Sequence, residues 1–163
     1  MTGVTDGIAG LDQRIPFLLS QLGSYMASEF QRHLTDSNVQ PRGYAVLMAL
    51  VTRDGQSQRE LSARLGIHRN VMVTLIDALE ADGLVQRRPN PDDRRAFAIT
   101  LTERARRLLP QLDQSARALE IAVTAELSAS ERDLLRNLLQ RIASGAGLLP
   151  GVHPGLADDD APC

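Results

Sequence analysis

The chain of 163 residues has a single cysteine, Cys163, at its last position. No intrachain disulfide can form, and neither a cysteine-rich zinc site nor a paired-thiol switch can be assembled, which fits a reducing cytoplasm. Lysine is absent: all 18 basic residues are arginine. Such a bias reflects nucleotide composition first, and it also supplies the planar donors that suit bidentate phosphate and guanine contacts. No apolar run approaches the roughly 18 residues of a membrane span. The segment Met1 to Gly10 lacks the basic and hydrophobic regions of a signal peptide, so a cytoplasmic location is expected. His33, His68 and His153 are far apart and have no acidic or cysteine partners at metal-ligand spacing, so no metal site is expected. There is no glycine-rich phosphate loop, nucleophile elbow or paired-acid signature either. The expectation is a chain with no catalytic residues and no cofactor, not an enzyme.

What is present bounds the answer further. The length suits one compact unit, and 43% apolar composition is enough to build a core. The formal charge of -2 says nothing for nucleic acid as a global figure, but its distribution is uneven. Between Ser57 and Arg107 there are ten arginines against seven acids, so this stretch is basic and the remainder acidic.

Periodicity divides the chain into elements. From Ile15 to Leu34, the residues Ile15, Leu18, Leu19, Leu22, Met26 and Phe30 recur at helical steps and predict one long helix with a buried stripe. Pro41 opens a second, nearly all-apolar helix through Val51, followed by an Asp54-Gly55 turn. Ser57 and Glu60 have capping-box spacing and start a short helix carrying Leu61 and Leu65 that stops at Gly66. Met72, Leu75, Ile76 and Leu79 then form the inner stripe of a fourth helix ending at Asp82-Gly83. Leu84 to Arg88 reads as a strand and Pro89 to Asp93 as a turn. A second strand follows in which Phe97, Ile99 and Leu101 bury one face, so the pair forms a hairpin with an arginine-bearing tip. A helical pattern from about Thr102 to Leu127 contains Pro110, which removes a backbone donor and predicts one bent helix. Ser128 and Glu131 repeat the capping-box spacing before a last helix with Leu134, Leu135, Leu138, Leu139 and Ile142, stopped at Gly145. The remaining residues, rich in Gly, Pro and Asp, lack periodicity and are expected to be mobile.

Two helices joined by a tight glycine turn and followed by a hairpin make a winged helix-turn-helix. The fold class expected is therefore mainly α with a small β-hairpin, a winged helix-turn-helix with long flanking dimerisation helices. The division is an N-terminal dimerisation helix (11–36), a DNA-binding region (41–101), C-terminal dimerisation helices (102–144) and a tail (145–163). The leucine stripes of the first, fifth and sixth helices exceed what a roughly 60-residue winged unit can cover, which predicts a second copy about a two-fold axis. Such a homodimer suits a palindromic operator in double-stranded DNA, with half-sites one helical turn apart.

Several segments together resemble the MarR family of bacterial regulators. They are Leu61 to Ile67, Leu75 to Val85, Arg87-Arg88, Asp92-Asp93-Arg94-Arg95 and Leu101-Thr102-Glu103. The likeness in element order spans about 15–142 and implies an interlocked homodimer, usually a repressor released by a small, often phenolic, ligand. His68 stands where the family commonly has a Ser or Thr cap, Thr74 where an Arg is frequent, and Ala105 where a Gly often follows the wing.

On the fourth helix, the face opposite the inner stripe presents Arg69, Asn70, Val73 and Thr74 as candidate base and phosphate contacts. Asp77 shares that face and suits a pairing with an arginine. Arg94 and Arg95 at the wing tip suit phosphate or a narrow minor groove, with Asp92 and Asp93 turned away. Ser57 and Gln58, at a helix start, suit phosphate; Ser57 is equally explained as a cap alone. A ligand pocket is expected where the first two helices meet the winged unit and the fifth helix, with Tyr25 and Tyr44 the nearest aromatics, residues that more often fill a core. Two functions remain open: a ligand-responsive DNA-binding regulator, and a winged-helix module that binds protein instead of DNA.

Overall fold

The computed structural model describes residues 7–8, 10–34, 37, 39–90 and 96–157. The elements are α1 (Ile15–Leu34), α2 (Pro41–Thr52), β1 (Gln56–Ser57), α3 (Gln58–Leu65), α4 (Arg69–Ala81), β2 (Val85–Pro89), β3 (Phe97–Leu101), α5 (Glu103–Val123) and α6 (Ala129–Gly145), followed by a 3-10 turn, Pro154–Leu156. The order is that of a mainly helical, winged helix-turn-helix chain.

The core lies among α2, α3, α4 and the sheet. Val46, Leu47, Leu50, Leu61, Met72, Ile76 and Ile99 are fully buried there, joined by Leu34 from the end of α1 and by Ala105 and Leu112 from α5. Each buried Val, Leu, Ile or Met side chain contributes roughly 1.5–3 kcal/mol by leaving water. Gly43 lets α2 and α4 approach: a Cβ there would meet Leu79 Cδ2 at 3.3 Å.

Local chemistry sets the helix ends. Both expected capping boxes form, Ser57 with Glu60 and Ser128 with Glu131. Gly66 closes α3 in the left-handed region, at φ 68°, which only glycine adopts at little cost. His68 caps α4 in place of a hydroxyl: its Nδ1 accepts from the Asn70 amide at 3.4 Å.

Four details depart from the sequence reading. First, the hairpin is part of a three-stranded antiparallel sheet in the order β1-β3-β2, with Gln56 opposite Ile99 and Ser57 opposite Ala98. Two residues have no period to recognise; β1 exists because β3 offers it an edge. Second, Phe97 is 57% exposed while Ala98, Ile99 and Leu101 are buried. Phe97 pairs with Pro89 at the far end of the β2–β3 ladder, while Leu101 pairs with Val85 next to the helices. Third, α5 accommodates Pro110 but ends at Val123, and the next turn carries a bond from the Leu127 amide to Thr124. Fourth, the segment after α6 folds back despite its composition. Leu156 is buried in the core, Val152 packs beside it, and Arg42 Nη2 donates to the Gly155 carbonyl at 3.3 Å.

The outer helices differ from this core. Leu34 is the only buried residue of α1, and α6 has none. No helix among the described residues is long and apolar enough to cross a membrane.

Candidate nucleic-acid interface

α4 presents two faces. Met72, Ile76 and Leu79 face the core, and Arg69, Asn70, Val73 and Thr74 are all exposed on the other side. The side-chain amide of Asn70 makes no bond to the described residues, while the Asn70 backbone carbonyl accepts from Thr74 Oγ1 at 3.3 Å. Thr74 therefore has its proton committed to its own helix and keeps acceptor capacity.

The start of α3 is more occupied than its sequence suggests. The Ser57 amide and hydroxyl donate to Glu60 Oε2 at 2.8 and 2.9 Å, and the hydroxyl accepts from the Glu60 amide at 3.2 Å. These bonds to Ser57 hold the Glu60 carboxyl below its usual range, with help from Arg53. The cap thus accounts for Ser57 by itself. Gln58 is half-buried and its Nε2 has no hydrogen-bond partner among the described residues. Arg94 and Arg95 lie outside the described residues, as do Asp92 and Asp93. The strand ends that flank them are joined by Asn90 N donating to Ala96 O at 3.2 Å.

Asp77 does pair with an arginine, and that arginine is one to which the sequence reading gave no role. Arg87, on β2, sends Nη2 to Asp77 Oδ1 at 2.5 Å and Nη1 to Glu80 Oε2, and its backbone amide donates to Glu80 Oε1 at 2.9 Å. Partial burial works against the Arg87 charge, but the bonds to Asp77 and Glu80 outweigh it, so its pKa is raised. The available signal was a pair of acids one helical turn apart, followed by a basic strand.

A cavity of about 460 Å³ opens between α2, β3 and α5, lined by Met48, Val51, Leu101, Leu109 and Pro110 with Arg106 and Asp113. Arg106 Nη2 donates to Asp54 Oδ2 at 2.6 Å, and Asp54 Oδ1 accepts from the amides of Leu101 at 3.0 Å and Gly55 at 3.1 Å. One carboxylate therefore links α5 to the sheet. Tyr25 is exposed on α1 and Tyr44 sits half-buried with its ring edge-on to Phe30, centroids 5.4 Å apart. Neither lines the cavity, although burial and the nearby Asp113 charge both push the Tyr44 phenol pKa up. No cluster of three His, Cys, Asp or Glu suited to a metal occurs among the described residues.

A helix-turn-helix with an exposed polar face on its second helix, beside a β-wing, defines a winged-helix DNA-binding regulator. The chain belongs to the MarR family. That family's profile matches residues 37–96. A regulatory protein assigned to the hcr operon of Thauera aromatica is 30% identical over 115 residues, covering 70% of this chain and 69% of that protein. Among solved structures, the transcriptional repressor CouR bound to a 23-mer DNA duplex is 29% identical with a TM-score of 0.74, covering 85% of this chain and 98% of that one. CouR from Rhodococcus jostii bound to p-coumaroyl-CoA is 31% identical with a TM-score of 0.69, covering 83% and 95%. Members of this family are transcriptional regulators that bind DNA and perform no enzymatic chemistry.

Proposed function

We propose that the chain is a cytoplasmic, sequence-specific repressor that binds a palindromic duplex operator as a homodimer and is released by a small aromatic acid or phenol. The observation that carries this reading is the exposed row Arg69, Asn70, Val73 and Thr74 on a helix whose other face is locked in the core. Asn70 offers paired hydrogen bonds to adenine, Val73 an apolar contact to a thymine methyl, and Arg69 a guanine or phosphate contact. Arg94 and Arg95 would hold phosphate or the minor groove, with Gln58 and the helix start at Ser57 on the backbone. The segments 11–36 and 102–144 then serve dimerisation, and 41–101 serves DNA. Exposed leucines along α1 and α6 support that division.

Release rests on the cavity between α2, β3 and α5. Its walls are apolar apart from Arg106 and Asp113, and the Arg106 guanidinium is the group that would take an acidic effector. An effector carboxylate there competes with Asp54 for Arg106 and loosens the link between α5 and the sheet, a differential contact of the kind that shifts a conformational equilibrium. The p-coumaroyl-CoA bound to CouR supports an aromatic acid derivative as the class.

Mobility shift of the chain's own upstream region at two salt concentrations, with and without aromatic acids, tests the reading. Binding that weakens with salt, exceeds that of scrambled duplex and is relieved by an acid is expected. Asn70→Ala should cost roughly 1–3 kcal/mol on the operator and much less on scrambled DNA, whereas Arg95→Ala should weaken both and lower the salt slope by about one. No binding at either salt would instead indicate a protein-interaction module.

A further inference from the structure

In the sheet order β1-β3-β2, β2 is an edge strand whose outer side has no strand partner among the described residues. An edge amide needs another acceptor. At Arg87 the recognition helix provides it: the backbone amide donates to Glu80 Oε1 at 2.9 Å, and the guanidinium reaches Glu80 Oε2 and, at 2.5 Å, Asp77 Oδ1. One residue thus joins two carboxylates a helical turn apart, and its side chain is 21% exposed. Asp77 follows Thr74 by one turn on the exposed face of α4, where a bare carboxylate would oppose DNA phosphate.

We infer that Arg87 is a positioning residue for DNA recognition: through Asp77 and Glu80 it clips α4 to β2, so that recognition helix and wing meet the duplex as one rigid piece. This rests on the reading that the chain binds a specific duplex. Arg87 acts through the protein and not on a phosphate: each of its terminal nitrogens is directed to a carboxylate of α4. The planar fork is what allows one side chain to serve two carboxylates; an ammonium has a single nitrogen to place.

The experiment compares wild type, Arg87→Lys, Arg87→Ala and Glu80→Ala on a duplex selected by the wild-type protein from a random pool and on its scrambled counterpart. Each is titrated over salt, with thermal melting alongside. Arg87→Ala should lower operator affinity about tenfold, the scale of one coupled contact, while scrambled-duplex affinity changes far less and the salt slope stays at the wild-type value. Arg87→Lys should recover part of the loss. Glu80→Ala is the sharper variant: removing a negative charge favours binding to any DNA, whereas breaking the clip lowers the operator-to-scrambled ratio. A salt slope reduced by about one in Arg87→Ala overturns the proposal in favour of a direct phosphate contact. Lower melting temperatures with an unchanged operator-to-scrambled ratio in all three variants overturn it in favour of a purely structural bond. A wild-type protein that selects no duplex defeats the DNA-binding reading itself, an outcome separate from both.

Discussion

The winged unit from α2 to β3 and the outer helices α1 and α6 use leucine in opposite ways. In the winged unit, Leu47, Leu50 and Leu61 are completely buried, whereas Leu134, Leu138 and Ile142 of α6 are 58%, 42% and 49% exposed. Both regions have the same helical period, and each contains one capping box, Ser57 with Glu60 and Ser128 with Glu131. The difference teaches that the winged unit closes its own core, while the outer helices have a face that the described residues of the chain do not cover. Under the proposed homodimer, a second copy would cover these exposed apolar residues.

Emptying the core should have the largest effect. Ile76→Ala leaves a cavity at a fully buried site and should destabilise the fold by about 2–5 kcal/mol, read as a lower midpoint in urea. A smaller loss than for an exposed leucine would break the comparison.

Next comes the outer face. Leu138→Asp should leave secondary structure intact in the single chain but dissociate the dimer, at a cost on the order of 3 kcal/mol for a charge placed in an apolar interface. Sedimentation beside circular dichroism separates dissociation from unfolding. A variant that stays dimeric removes α6 from the interface.

The returning segment tests where the boundary between the two regions lies. Leu156 follows α6 yet is buried with α2, so Leu156→Ala should lower stability by about 2 kcal/mol, toward the small end of core truncations. Thermal melting checks it, and an unchanged midpoint would mean that the segment only rests on the surface.

The smallest effects concern the two caps, one in each region. Glu60 and Glu131 have lowered pKa values from their bonds to Ser57 and Ser128, and Glu60 gains further from Arg53. A carboxylate lowered by folding stabilises the fold above its unfolded pKa of about 4.3 and loses that contribution as pH falls through its folded value. Melting from neutral to acid pH should therefore show Glu60→Gln and Glu131→Gln converging on wild type in acid. Glu60→Gln should differ more at neutral pH. The reverse order would place the stronger cap on the outer helix.

Helix starts and faces were legible in the sequence because they depend on neighbours a few positions apart. Ser57 with Glu60, Ser128 with Glu131, and the stripe Met72, Ile76, Leu79 are all spacings of three or four residues. From those spacings the order of helices, the wing and the exposed set Arg69, Asn70, Val73 and Thr74 could be read. What resisted reading depends on distant partners. Arg42 meets Gly155 across 113 residues, Asp54 meets Leu101 across 47, and β1 takes its register from Ile99. The burial of Leu156, the exposure of Phe97 and the bridge from Arg87 to Asp77 and Glu80 follow from which surfaces three-dimensional packing brings together. A one-dimensional period records which side of an element is apolar. What that side meets was decided when the chain closed on itself, because burial and ion pairing act through space and not along the backbone.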